Sequence, residues 1–290
     1  RLRREADAYK RSLLTAFTEA SILAPVVRLR DGTAVRKFPS HVYRRGRSFG
    51  WICETLEGAL HLLIAGVLDP RSPEARDILD DHEDNLYLSN QYGYTVPDFE
   101  KQWYALGGMS MQACLLLHVE PYLSRDEVKS ALRGLFNAIA VGLFPDVRML
   151  TEHALPELGD WRGDHFKSSD ESNAAGWLRY LFVREEGERL LIGQAVPLDW
   201  LASGRKCGVE RAATHFGPVD VAYHCEGDRL EVRVEGANRN SPATIRVRLR
   251  HPSGKRPRQV MVNGRPWRRM QADWAILPGT VRRAEITALF

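Results

Sequence analysis

The sequence lacks any long apolar run. Its best stretch, Ala113–Val119, falls well short of the roughly 18 continuous apolar residues that a membrane span needs, so no transmembrane helix is expected. Its four cysteines, Cys53, Cys114, Cys207 and Cys225, include no Cys-x-x-Cys pair, which argues against a zinc ribbon. There is no His-Glu-x-x-His motif, no EF-hand loop and no tandem repeat. Neither charge dominates: 41 Lys and Arg stand against 37 Asp and Glu. A signal-peptide pattern is missing too. The basic Arg1, Arg3 and Arg4 lead into Glu5, Ala6 and Asp7 rather than into an apolar core. With Arg1 in place of Met, the chain is read as a fragment or a processed form, and its compartment is not written in it.

What is present is ordinary for a folded protein: 44% hydrophobic and 27% charged residues over 290 positions, enough for one large domain or two of usual size. The first part has helical spacing. Leu2, Ala6, Tyr9, Leu13, Phe17 and Ala20 lie three or four apart and predict a helix ending before Pro25. Ile52, Leu56, Leu60 and Leu63 predict a second, and Ser72-Pro73-Glu74 opens a third with an N-cap and a first-turn proline. Phe99–Val119 is small and nearly uncharged all round, as a buried helix would be. Ser124-Arg125-Asp126-Glu127 has the pattern of a capping box and precedes the stripe Val128, Leu132, Leu135, Phe136 and Ile139. Ser168-Ser169-Asp170-Glu171 repeats that pattern before Trp177, Leu178, Leu181 and Phe182. A buried helix followed by an amphipathic one suits two concentric helix layers.

Near residue 190 the period falls to two. Leu230, Val232 and Val234 alternate with charged residues, as do Ile245, Val247 and Leu249 with Arg246, Arg248 and Arg250, which predicts strands with one wet face. Asn263-Gly264 marks a tight hairpin. The expected division is a helical domain over 1–190 and a small antiparallel β-sandwich over 191–290. The alternating arginines read as a solvated strand face, so no nucleic-acid partner is expected. Cys207 and Cys225 fall in consecutive strands, and their pairing stays open.

The densest chemistry lies between the last two predicted helices, Thr151 through Glu171. It holds Glu152, His153, Trp161, Asp164, His165 and Asp170 in a connection too long for a plain hairpin. Glycosidic cleavage needs one carboxylic acid on the leaving oxygen and a second carboxylate as base or nucleophile, while aromatic rings give sugars a flat face to stack on. Against this, Asp170 and Glu171 serve equally well as helix caps, and His153 as a hydrogen-bonded structural residue. Asp80-Asp81-His82-Glu83-Asp84-Asn85 offers oxygen ligands, but reads first as a polar helix end in water. Glu54, Glu57 and His61 share a helix face, and Tyr92, Tyr94, Trp103 and Tyr104 form an aromatic group. No metal and no cofactor is expected.

The stretch Glu152–Glu171 leading into Trp177-Leu178-Arg179, and the run Gly193-Gln194-Ala195-Val196-Pro197-Leu198-Asp199-Trp200-Leu201 through Val209–Val219, carry a resemblance. With the order of helix pairs then sandwich, the chain resembles the six-hairpin (α/α)6-toroid glycosidases of the α-L-rhamnosidase-like group. That resemblance implies the C-terminal half of a toroid plus a terminal β-domain, since three hairpins are half a ring. It implies a cleft where loops enter the inner helices, with Glu152 as acid or base, Asp164 as its alternative, and His153 and His165 beside them. Trp161, Tyr92, Tyr94 and Trp103 would bind sugar, with Glu54 and Asp170 as polar contacts. The implied activity is glycoside hydrolysis on plant or microbial polysaccharide, which would place the protein outside the cell or in the periplasm. Two rivals stand beside it: a polysaccharide lyase of the same fold, and a non-catalytic carbohydrate-binding or scaffold protein.

Overall fold

The structure is a computed structural model, and it describes residues 1–24, 26–36, 59–84, 118–151, 153–155, 160–162 and 166–290. They form two compact units, Arg1–Ala174 and Ala175–Phe290, helices first and strands after. Elements are numbered below in chain order among these residues.

In the first unit, α1 (Leu2–Ile22) follows the predicted spacing, but its stripe is covered only towards the C-terminal end. Phe17 and Ala20 are buried, whereas Leu2 is 81% exposed and Tyr9 70%. A short hairpin of β1 (Val26–Arg28) and β2 (Ala34–Arg36) follows, and then α2 (Leu60–Ile64). Helix α3 (Pro73–His82) starts as its sequence dictates. The Ser72 hydroxyl accepts the Ala75 N–H at 3.1 Å, and Pro73, which has no N–H to satisfy, fills the first turn.

Ser124 does not start a helix. It ends α4 (Val119–Ser124), Asp126 turns left-handed at φ 61°, and Glu127 stands before α5 (Val128–Gly142) without a capping bond from its side chain. The Glu127 carboxylate is occupied by Arg76 from α3 and by its near neighbour Arg125, each at 2.9 Å, and these ion pairs displace the local cap. After α5 come two two-stranded ribbons, β3 (Leu143–Phe144) with β4 (Met149–Leu150) and β5 (His153–Leu155) with β6 (Asp160–Arg162). Helix α6 (Ser168–Phe182) then carries the chain into the second unit. Seven helices lie among the described residues.

The second unit holds two sheets. One has five strands: β7 (Val183–Glu186), β8 (Arg189–Ile192), β12 (Thr244–Arg248), β15 (Met270–Gln271) and β16 (Trp274–Pro278). The other has six: β9 (Cys207–Ala212), β10 (Val219–Glu226), β11 (Arg229–Gly236), β13 (Gln259–Val262), β14 (Arg265–Pro266) and β17 (Arg283–Leu289). A short helix, α7 (Leu198–Ala202), links β8 to β9. The inner faces meet. Leu190, Ile245 and Leu277 of one sheet and Val219, Val234 and Ala284 of the other line the same small void. Buried Tyr223 on β10 reaches across, its hydroxyl 3.1 Å from the Arg248 carbonyl and 3.4 Å from that of Ile192.

Two expectations change here. The sandwich is not wholly antiparallel, because β12 runs parallel to β8. The chain leaves the five-stranded sheet through α7, builds β9–β11 and re-enters beside its own earlier strand, the kind of crossover a parallel pair requires. Nor do Arg246, Arg248 and Arg250 form an open wet face. Arg248 bonds Asp273 at 2.9 Å and lies over the Trp274 ring at 5.1 Å, and Arg250 donates to the Val196 carbonyl at 2.6 Å.

Candidate functional site

The acidic connection between α5 and α6 is described in part. Thr151 is buried; its N–H bonds the Gly142 carbonyl at 3.1 Å, and its hydroxyl has no partner among the described residues. In the β5–β6 ribbon, His153 pairs with Arg162, Ala154 with Trp161 and Leu155 with Asp160. His153 and Trp161 thus sit on neighbouring rungs, with Glu152 preceding β5 in the chain. Glu152, Asp164, His165, Tyr92, Tyr94, Trp103 and Glu54 lie outside the described residues, as do Glu57, Tyr104, Cys53 and Cys114.

Asp170 stands in the first turn of α6, where the helix dipole favours a carboxylate. It is 0% exposed, accepts from the Ser169 hydroxyl at 3.2 Å and has the Lys167 ammonium 4.0 Å away. The helix takes in Ser168 itself, so the acidic residues of the predicted capping box serve here as first-turn charges.

The Asp80–Asp84 cluster is not simply a helix end in water. Asp81 and His82 are buried, and so is His118, which follows 36 residues later. His82 Nε2 and His118 Nδ1 lie 3.2 Å apart, with the rings tilted at 42°. Beside them Glu83 accepts from the Tyr122 hydroxyl at 2.6 Å and pairs with Arg133. Burial, then the neighbouring His118, holds the His82 pKa well below the ordinary histidine value, with Glu83 opposing. Burial, then Arg133, brings His118 down to about 3. Burial, then the bond to Glu83, raises the Tyr122 hydroxyl far above its usual range.

Both imidazoles are therefore neutral at physiological pH, one donating to the other. His82 Nδ1 is left with no partner among the described residues. Gly134 makes the packing possible, since a Cβ there would lie 2.7 Å from His118 Nε2. Among the described residues no group of three His, Cys, Asp or Glu could hold a metal ion. This group ties α3 to α4 and α5. Sequence spacing gave no hint of the pairing.

In the β unit an open depression lies over β9, β10 and β11, floored by Gly208 and Ala222 and edged by Lys206, Arg211, Asp220 and Arg233. None of its lining residues is aromatic. Cys207 and Cys225 are both free thiols. No helix among the described residues is long and apolar enough to cross a membrane.

No protein-family model matches the chain, and no curated protein matches it. Among solved structures, it is similar to a Streptomyces avermitilis alpha-L-rhamnosidase complexed with L-rhamnose, at 12% identity and a TM-score of 0.35, over 80% of this chain and 25% of that one. The chain spans a quarter of that protein's length.

Proposed function

We propose that the chain is part of a glycoside hydrolase that cuts polysaccharide by carboxylate acid–base catalysis. In this reading residues 1–190 are helical hairpins of an α/α toroid, and residues 191–290 are its terminal β-domain. The observation that carries it is the order of parts: helices, then a connection folded into short ribbons with His153 and Trp161 on adjacent rungs, then a two-sheet β unit. The junction segments that resemble the toroid glycosidases fall in that connection and at the entry to the β unit.

Glu152 is then the acid or base, with Asp164 as its alternative. His153 and His165 are further catalytic candidates beside them. Trp161, Tyr92, Tyr94 and Trp103 are sugar platforms, and Glu54 is a polar contact. Asp170 is enclosed, so it acts through Lys167 rather than on sugar directly.

The test is release of reducing ends from plant and microbial polysaccharides by the full chain. Glu152→Gln is expected to lower turnover by roughly 10²–10⁴-fold; undiminished turnover removes Glu152 from the mechanism. A product absorbing in the near ultraviolet would mean elimination by a lyase, and sugar binding without any product would mean a non-catalytic module.

A further inference from the structure

One edge of the β unit is basic in a way the rest of it is not. From His251 to Gln271 the chain carries Lys255, Arg256, Arg258, Arg265, Arg268 and Arg269 and no acidic residue. The fold gathers them. Strand β14 is the edge of the six-stranded sheet, paired with β13 through Met261↔Pro266 and Val262↔Arg265. The Trp267 N–H bonds the Val260 carbonyl at 2.8 Å, so the chain runs back along β13 and brings Arg268 to the end where Arg258 stands. Arg268 and Arg269 then lead into β15, the edge of the five-stranded sheet. One side of the sandwich is thereby rimmed with guanidinium groups.

On the six-stranded sheet Arg229, Arg233 and Arg283 are neutralised along their own strands, by Glu231, Glu235 and Glu285, while Arg211 on β9 stands alone without an ion pair among the described residues. On this edge Lys255 pairs with Asp228 at 3.2 Å, and Arg258 also lies in the field of Asp228. Arg256, Arg265, Arg268 and Arg269 are exposed and make no ion pair among the described residues. Pro257 and Pro266 stiffen the segment, which lowers the entropy lost when it is held by a ligand.

We propose that this arginine-rich edge is a binding surface for an acidic polysaccharide, a sugar chain bearing carboxylate or sulfate groups. The guanidinium fork meets a planar carboxylate, or two oxygens of a tetrahedral sulfate, through two parallel bonds, which a lysine cannot do. The half-buried Trp267 beside it offers a ring to a sugar, and its indole N–H has no partner among the described residues, so turning it costs no hydrogen bond.

A membrane fits less well, because none of the exposed large apolar residues lies in this segment to enter lipid. Single-stranded nucleic acid wants a series of aromatic platforms, and the segment has Trp267 alone. The plainer account is that charge guards an edge strand against pairing with other chains. That account predicts solubility effects on substitution and no affinity for polyanions.

The experiment is affinity electrophoresis of the full chain in gels cast with sodium polygalacturonate, against fully methyl-esterified polymer as the neutral control. It is read without turnover, so it stands or falls apart from the hydrolase proposal. Retardation by the charged polymer alone is expected, weakening steeply as salt rises. Replacing Arg265, Arg268 and Arg269 together with Ser should weaken binding on the order of tenfold, and with Lys by only a few-fold. If the serine variant proves insoluble, replacing the three with Glu keeps the edge charged and should abolish binding. Unchanged binding in the serine or glutamate variant overturns the proposal. So does equal retardation by the neutral polymer, or tighter binding to single-stranded DNA of matched charge or to phosphatidylglycerol vesicles.

Discussion

Tyr223 in the β unit and His82 in the helical unit are both buried polar side chains, and they are treated differently. The Tyr223 hydroxyl finds carbonyls of the opposite sheet, Arg248 at 3.1 Å and Ile192 at 3.4 Å. His82 finds only another imidazole, and its Nδ1 goes without a partner among the described residues. The difference follows from the backbones that surround them. Carbonyls near strand ends still have acceptor capacity to offer a crossing side chain, while helices spend theirs on their own ladder. Polar groups buried between helices must therefore look to one another, and here His82 Nδ1 is left over. The same contrast recurs at the surface, where α1 leaves Leu2 and Tyr9 exposed while Leu230, Val232 and Val234 of β11 are all buried.

The largest expected break between the units is acid. Both histidines are held neutral by burial, whereas unfolded histidine takes a proton near pH 6.5. Their contribution to the helical unit is thus complete above about pH 6.5 and is lost as pH falls from there towards about 3, where His118 titrates in the fold. Two such groups cost about 2–3 kcal/mol for each pH unit below about 6. Hydrogen exchange at pH 7 and pH 5 should show α3–α5 losing protection well before the strands. Uniform loss in both units would show that the pair sets no difference.

Next in size is Gly193→Ala in the β unit. Gly193 has φ +68°, and a Cβ there would lie 1.8 Å from the Tyr223 oxygen. Left-handed strain plus overpacking should cost about 2–4 kcal/mol, seen as a lower Tm. A neutral result would mean that Tyr223 is not locked as described.

Ser72→Ala should cost about 1 kcal/mol by removing the bond to the Ala75 N–H, measured by denaturant unfolding of the helical unit. Smallest is Tyr9→Ser, expected to change stability by less than about 0.5 kcal/mol because the ring is 70% exposed. A large loss there would reveal a covering surface on α1.

Elements whose signal is local were legible in the sequence. Leu230, Val232 and Val234 alternate and are all buried, Ser72 caps α3, and Asn263-Gly264 turns the β13–β14 hairpin with both residues at positive φ. Elements decided by distant partners were not. Ser124–Glu127 has the letters of a capping box, but Arg76, 51 residues away, claims its glutamate. Strand β8 is buried on both faces, so Leu190, Leu191 and Ile192 form an unbroken apolar run without the period of two. The acidic neighbours of His82 in sequence suggest a residue facing water, while His118, which pairs with it in the interior, lies 36 residues along the chain. Of the candidate site, the sequence supplied the residue types; the ribbon that sets His153 and Trp161 on adjacent rungs is a matter of register, which spacing alone does not fix.

The hairpin of β7 and β8 closes one side of the five-stranded sheet through the parallel ladder Thr244↔Arg189 to Val247↔Ile192. Nearly all the rest of the sandwich is built from the chain after it. A nick near Gln194 would sever the covalent link without removing a single rung of either sheet. The two pieces should then stay associated, and a synthetic peptide spanning 183–192 should complement a β unit made without it, converting this one strand order into a split-protein reporter.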